Sequence, residues 1–161
     1  MAKDYRNNFG ELAYNDANKQ RFLRETRALL RRVAARLTAS GVAAEASVRV
    51  NKGGIAVGGD VYLDVALPGG QSGVLLTVTH ASFSPRRPDG VVAYAQFRGA
   101  ERHRALSRSA RGPWRTRIIG SNVTPREIDE DTLVSCCAEM LRLHPERHVA
   151  CEAEACAAPA P

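Results

Sequence analysis

Residues 59–67 read GDVYLDVAL, and the parity of their apolar members decides what the chain can fold into. Val61, Leu63, Val65 and Leu67 occupy every second position, so in an extended chain they share one face, while Asp60, Tyr62 and Asp64 share the other. A helix would scatter both sets around its axis. On the N-terminal side, Val48 and Val50 alternate with polar neighbours and Lys52-Gly53-Gly54 offers a turn. Ile55 and Val57 then lead, on odd positions, into one long strand that contains Gly58 and Gly59. Glycine inside a strand marks a bulge, a bend or the close approach of another part of the chain. On the C-terminal side, Pro68-Gly69-Gly70 turns the chain, and Val74, Leu76 and Val78 begin a third strand that runs to about His80. A fourth strand covers Val91 to Arg98, with Ala93, Ala95 and Phe97 on one face and Val92, Tyr94 and Gln96 on the other. A short fifth is expected from Trp114 to Ile119.

Helical periodicity appears on both flanks of this region. From Asp16 to Ala39, Phe22, Thr26, Leu29, Leu30, Val33 and Leu37 recur at spacings of three and four, drawing one apolar stripe, and Gly41 is placed to end the helix. Near the other end, Thr124-Pro125-Arg126-Glu127 supplies a hydroxyl for an N-cap, a proline for the first helical position and a glutamate three residues after the cap. Asp129, Glu130 and Asp131 follow where a helix dipole favours negative charge. Leu133, Cys136, Met140 and Leu143 form the expected seam of that helix, with Cys137 and Leu141 beside it, and His144-Pro145 ends it. The order predicts an α+β fold: an N-terminal helix, an antiparallel sheet of four to five strands in meander order and a C-terminal helix, with both helices on one face. Residues 1–15 are expected to be a flexible segment, 16–149 a single domain with a basic loop at 98–117, and 150–161 a disordered tail of low apolar content.

A chain of 161 residues, 44% hydrophobic and 25% charged, suits one domain with a real core. The polar start MAKDYRNNFG lacks an apolar signal region and no run approaches the length of a membrane span, so a cytoplasmic protein with no membrane partner is expected. Four cysteines, two of them adjacent at 136 and 137, make a poor disulfide framework. The net charge of +6 is unevenly spread: residues 16–40 carry seven basic residues against two acids, 86–117 nine against two, and 125–161 three against eight. Such a field attracts polyanions or an acidic protein surface without choosing between them.

No catalytic signature emerges. The glycine pairs at 53–54, 58–59 and 69–70 lie between and within strands rather than ahead of a helix N-terminus, so they do not form a phosphate cradle. Cys137, His144, His148 and Cys151 are potential metal ligands, yet no zinc spacing joins them, and no metal or cofactor is expected. His80 has Ser82 and Ser84 close in sequence and Asp60 and Asp64 on the preceding strand, but nothing aims a base at a nucleophile. The chemistry therefore rests on charge. Arg98, Arg102, Arg104, Arg108, Arg111, Arg115 and Arg117 crowd a twenty-residue stretch with Trp114; guanidinium forks suit phosphates, and an indole can stack on a base. Arg24, Arg27 and Arg31 recur at helical spacing and form a second basic face.

At Asn51-Lys52-Gly53-Gly54-Ile55-Ala56-Val57-Gly58-Gly59-Asp60-Val61 the chain resembles a hairpin of small, uncharacterised accessory proteins carried on bacterial plasmids and integrative elements. The resemblance covers these residues only and assigns no functional residue. It implies an auxiliary protein of a mobile element in a bacterial cytoplasm, modulating host defence or plasmid maintenance. Together with the charge pattern, the expectation is a non-enzymatic basic binding module that contacts nucleic acid or a nucleic-acid-handling complex. The alternative is a protein-interaction module, an inhibitor or adaptor capable of self-association, that docks a partner on an exposed sheet face carrying Tyr62 and Tyr94 or on the acidic C-terminal helix.

Overall fold

A computed structural model describes residues 5–6, 10–13, 15–52, 59–68, 72–83, 92–101 and 115–142. Helix α1 (Asp16–Ala39) is followed by strands β1 (Glu45–Asn51), β2 (Gly59–Ala66), β3 (Ser72–Phe83), β4 (Val92–Glu101) and β5 (Arg115–Ser121). A 3-10 turn (Pro125–Glu127) and helix α2 (Glu130–Arg142) complete the described order. The strands form one antiparallel sheet in the order β1-β2-β3-β4-β5. The glycine-pair turns proposed at 53–54 and 69–70, and Gly58, lie outside the described residues.

Parity does what the sequence required of it. Val61, Leu63 and Val65 are buried on one face of β2, in register with Val50, Val48 and Ala46 of β1. Opposite them on β3 stand Leu76 and Val78, and beyond those Phe97 on β4. Both helices cover this face. Leu23 of α1 lies over Gly59, where an added Cβ would come within 2.9 Å of a leucine methyl, and Met140 of α2 lies over Gly99, where an added Cβ would collide with the thioether. Register puts Gly59 opposite His80 and Gly99 opposite Leu76, so both glycines open room on one side of the sheet for a helix to approach. The expected stripe of α1 is buried along its length, Phe22, Thr26, Leu30, Val33 and Leu37 at 0% exposure and Leu29 at 3%. Asn15 caps the helix by accepting the Asn18 amide at 2.8 Å, and Gly41 takes a φ of +74° just beyond its end.

Three local expectations are corrected, and β3 carries a bulge besides. The alternation Val74, Leu76, Val78 is broken there, because the register shifts between Leu63 and Asp64, so that Asp64 pairs with Val74 and Leu75 is the extra residue. The bulge puts Val74 on the outer face and lets the consecutive Leu75 and Leu76 both be buried, at 3% and 0% exposure. Near the C-terminus, the Thr124–Glu127 pattern does bring the Glu127 carboxylate onto the Thr124 amide at 2.7 Å, yet it starts only the 3-10 turn. The backbone is extended again at Ile128, and α2 starts afresh with the Asp129 carboxylate accepting from the Thr132 amide at 2.9 Å and its hydroxyl at 2.7 Å. The restart rotates the seam: Leu133, Cys137, Met140 and Leu141 are buried, whereas Cys136 is only partly so. Finally, residues 1–15 are not wholly outside the domain. Tyr5 and Leu12 are 1% and 2% exposed and belong to the core, Ala13 donates to the Tyr5 carbonyl at 2.7 Å, and Arg6 pairs with Glu127 at 3.1 Å.

Candidate polyanion-binding face

The acids of α2 and its approach sort the arginines into those that are matched and those that are not. Arg32 donates to Glu130 at 2.6 Å, and Arg36 reaches Glu130 at 3.2 Å and Asp131 at 2.7 Å. The Arg32 hydrogen bond holds the Glu130 carboxyl below its usual value, and the Asp131 hydrogen bond pushes the Arg36 guanidinium above its own. Around Tyr5, Arg126 forks onto Glu25 at 2.8 and 3.1 Å while the Tyr5 hydroxyl donates to the same carboxylate at 2.6 Å. Burial alone would raise the Glu25 carboxyl, but the bonds from Arg126 and Tyr5 outweigh it and leave it lowered. Arg21 sits over the Tyr5 ring at 4.7 Å.

Arg24, Arg27 and Arg31 have no such arrangement. All three are exposed on the side of α1 turned from the sheet, and among the described residues no carboxylate pairs with them. Helical geometry explains the division: at 100° per residue, Arg32 and Arg36 project toward α2, whereas Arg24, Arg27 and Arg31 project away from it. Their exposed neighbours on that face are Ala28 and Ala35, too short to screen them. The three span about 10.5 Å along the axis at 1.5 Å per residue.

The main basic set expected from sequence is not brought together where it can be followed. Arg98 is exposed on the outer face of the sheet, in a cross-strand row that runs Arg49, Tyr62, Thr77, Arg98, Ile118. Arg117 pairs instead with Gly99 on the helix-covered face and reaches Glu139 of α2 at 3.5 Å. These two arginines therefore leave the sheet in opposite directions. The backbone of Arg115 lies in β5, and Arg102, Arg104, Arg108, Arg111 and Trp114 lie outside the described residues.

The outer sheet face is close to charge-balanced where described. Arg49 forks onto Asp64 at 3.0 and 3.2 Å and lies 4.2 Å from the Tyr62 ring centre. Asp60 accepts from Thr79 at 2.6 Å and from Tyr62 at 3.3 Å. Ile118 is 58% exposed at the end of that row, a feature that alternation did not single out because a neighbouring bulge at Ile119 resets the parity of β5.

Of the residues considered for catalysis, His80 is separated from Asp60 and Asp64, and Ser84 lies outside the described residues. His80 is 1% exposed on the helix side, stacked on Phe22 with ring centres 4.6 Å apart, and its Nδ1 has no hydrogen-bond partner. Burial, aided by the Lys19 charge, lowers its pKa to about 4. Asp60 and Asp64 project from the opposite face, so no base–carboxylate pair forms. An open cleft of about 640 Å3 near the C-terminal end of α1 is lined by Thr38, Glu45, Ser47, Asp64 and Ser72, far from His80 in register. Of the metal candidates, Cys137 is fully buried and its thiol is pushed up to about 12 by burial, which makes it a core side chain; His144, His148 and Cys151 lie outside the described residues. Among the described residues no helix is long and apolar enough to cross a membrane.

No family model matches the chain, and no curated protein or solved structure does either. Fold geometry and surface chemistry are what a functional reading has to stand on.

Proposed function

We propose that the protein is a non-enzymatic basic binding module that contacts nucleic acid, or a nucleic-acid-handling complex, first through the outward face of α1. The observation that carries this reading is the sorting of guanidiniums: Arg32, Arg36, Arg49, Arg117 and Arg126 each have a carboxylate, while Arg24, Arg27 and Arg31 form an exposed stripe with none among the described residues. Unmatched, aligned cations are what a phosphate-rich partner can neutralise with release of its counterions. Arg98, exposed on the outer face of the sheet, would add a contact there, and Arg102, Arg104, Arg108, Arg111 and Arg115 belong to the same proposal. An auxiliary role on a bacterial mobile element in the cytoplasm, implied by the resemblance at residues 51–61, belongs to the same proposal and is tested by the genes adjacent to this one.

The binding claim is tested by titrating labelled nucleic acid of mixed sequence with the protein at rising salt. Affinity should fall steeply with salt, and absence of binding at low ionic strength would remove the reading. A second reading, a protein-interaction module, is favoured by the half-exposed outer sheet face on which Tyr62, Tyr94 and the exposed Ile118 stand. Concentration-dependent mass by sedimentation, abolished by Ile118→Asp, would support self-association on that face; a mass of one chain at every concentration would count against it.

A further inference from the structure

Resting on that reading of α1, we infer that the stripe Arg24–Arg27–Arg31 takes the sugar-phosphate backbone of double-stranded nucleic acid, and engages single strands more weakly. Three observations point to it. First, apart from the guanidiniums themselves the face offers nothing that reads or stacks on a base. Its exposed residues beside the arginines are Asp16, Ala17, Gln20, Ala28 and Ala35, and Gln20 is already donating to Asp16 at 2.9 Å. Secondly, the described aromatics cannot assist. Tyr5, Phe22 and Phe97 are buried, and Tyr62 and Tyr94 stand on the far side of the sheet. Non-specific single-strand binding draws on aromatic stacking as well as charge, and among the described side chains this face supplies only charge.

Thirdly, the spacing suits a dense, fixed array of anions. Over the roughly 10.5 Å of the stripe, a duplex presents about six phosphates on its two strands, against about three for one strand of equal axial length. The guanidiniums start from a rigid 24-residue helix anchored by its buried stripe, so they need a partner whose charges are also held in place. The contact has a boundary as well. Glu130 and Asp131 hold Arg32 and Arg36 on the α2 flank and would repel a phosphate chain there, which confines the duplex to the outward and β1-side surface of α1.

The experiment is fluorescence anisotropy on the full chain with a mixed-sequence duplex and, separately, one of its strands, over a salt series. The comparison variant is Arg24→Ala/Arg27→Ala/Arg31→Ala; all three positions are exposed and alanine is the best helix former, so α1 persists, as circular dichroism would verify. Tighter binding of the duplex than of the strand is expected. The slope of log affinity against log salt should be shallower in the variant by about 2.7, three phosphates at about 0.9 each, or roughly 40-fold of salt sensitivity between 50 and 200 mM. Equal or tighter binding of the strand, still lost in the variant, would overturn the duplex assignment and leave the polyanion reading standing. Unchanged affinity and slope in the variant would overturn the assignment to this face, and no binding of either probe by the wild type would overturn both. Competition by an acidic polypeptide but not by unlabelled duplex would make the partner a protein and overturn the inference.

Discussion

Met140 and Gly99 illustrate how much one side-chain decision can weigh. The thioether occupies the space a Cβ on residue 99 would need, so Gly99→Ala forces either α2 or β4 to move, and overpacking of this kind costs about 1–3 kcal/mol. Urea melts should record that loss, and Gly99→Ala combined with Met140→Ala should be less destabilising than the sum of the two single changes, because each relieves the other. His80 makes a different demand. Its ordinary pKa of 6.5 falls to about 4 in the fold, so between those values the unfolded chain takes up a proton that the folded chain refuses. Stability therefore declines as pH falls from about 6.5 toward 4, by about 3 kcal/mol over the whole window. The lowered carboxyls of Glu25, Glu127 and Glu130 act only as pH falls through their own lower range, so the two contributions separate. Melting temperature measured against pH should show a decline beginning near 6.5 in the wild type that is absent in His80→Phe.

Between elements, the α1–α2 contact joins packing and charge. Its ion pairs are exposed, with Arg32 and Arg36 side chains at 58% and 42% and Asp131 at 80% exposure, so solvent screening leaves each pair contributing little to stability. Their larger effect is to withdraw two cations from the surface. Glu130→Gln/Asp131→Asn should leave the melting temperature nearly unchanged while tightening binding to nucleic acid, with a salt slope steeper by up to about 1.8 for two released guanidiniums; an unaltered slope would show that Arg32 and Arg36 are not accessible to phosphate. This division among arginines was only half legible in the sequence. The stripe of Arg24, Arg27 and Arg31 could be read because helical period is local. That Arg32 and Arg36 meet residues about a hundred positions away could not, since nothing in spacing reports which helix flank a distant acid will face. The same limit explains Val74, Cys136 and Ile118: a single bulge or a restarted helix changes the face that the residues beside it take, and local spacing carries no mark of either. Tyr5 and Leu12, isolated apolar residues in a polar segment, carry no periodic signal at all, and their burial emerges only from tertiary contact.

Across the molecule, the N-terminal segment closes the helical layer over the sheet. Tyr5 stacks edge-on against Phe22, which stacks on His80, and Arg6 ties the segment to the carbonyl of Asn122 at 3.1 Å and to Glu127. A chain beginning at Asn15 should lose several kcal/mol, since removing one buried aromatic alone costs about 3–5 kcal/mol. Chemical denaturation would register this, and an unchanged midpoint would mean that Tyr5 and Leu12 contribute nothing to the core.

The nearest-neighbour order of the five strands has a kinetic side. Every ladder joins segments consecutive in the chain, so the sheet can grow hairpin by hairpin, with each closure entropically cheap. Among the described residues, it is the association of α1 and the N-terminal segment with the 3-10 turn and α2 that brings together residues about a hundred apart. Mutations in the β2–β3 ladder should therefore change the refolding rate most, whereas those joining Tyr5, Arg6 and Arg36 to their distant partners should chiefly change how fast the protein comes apart.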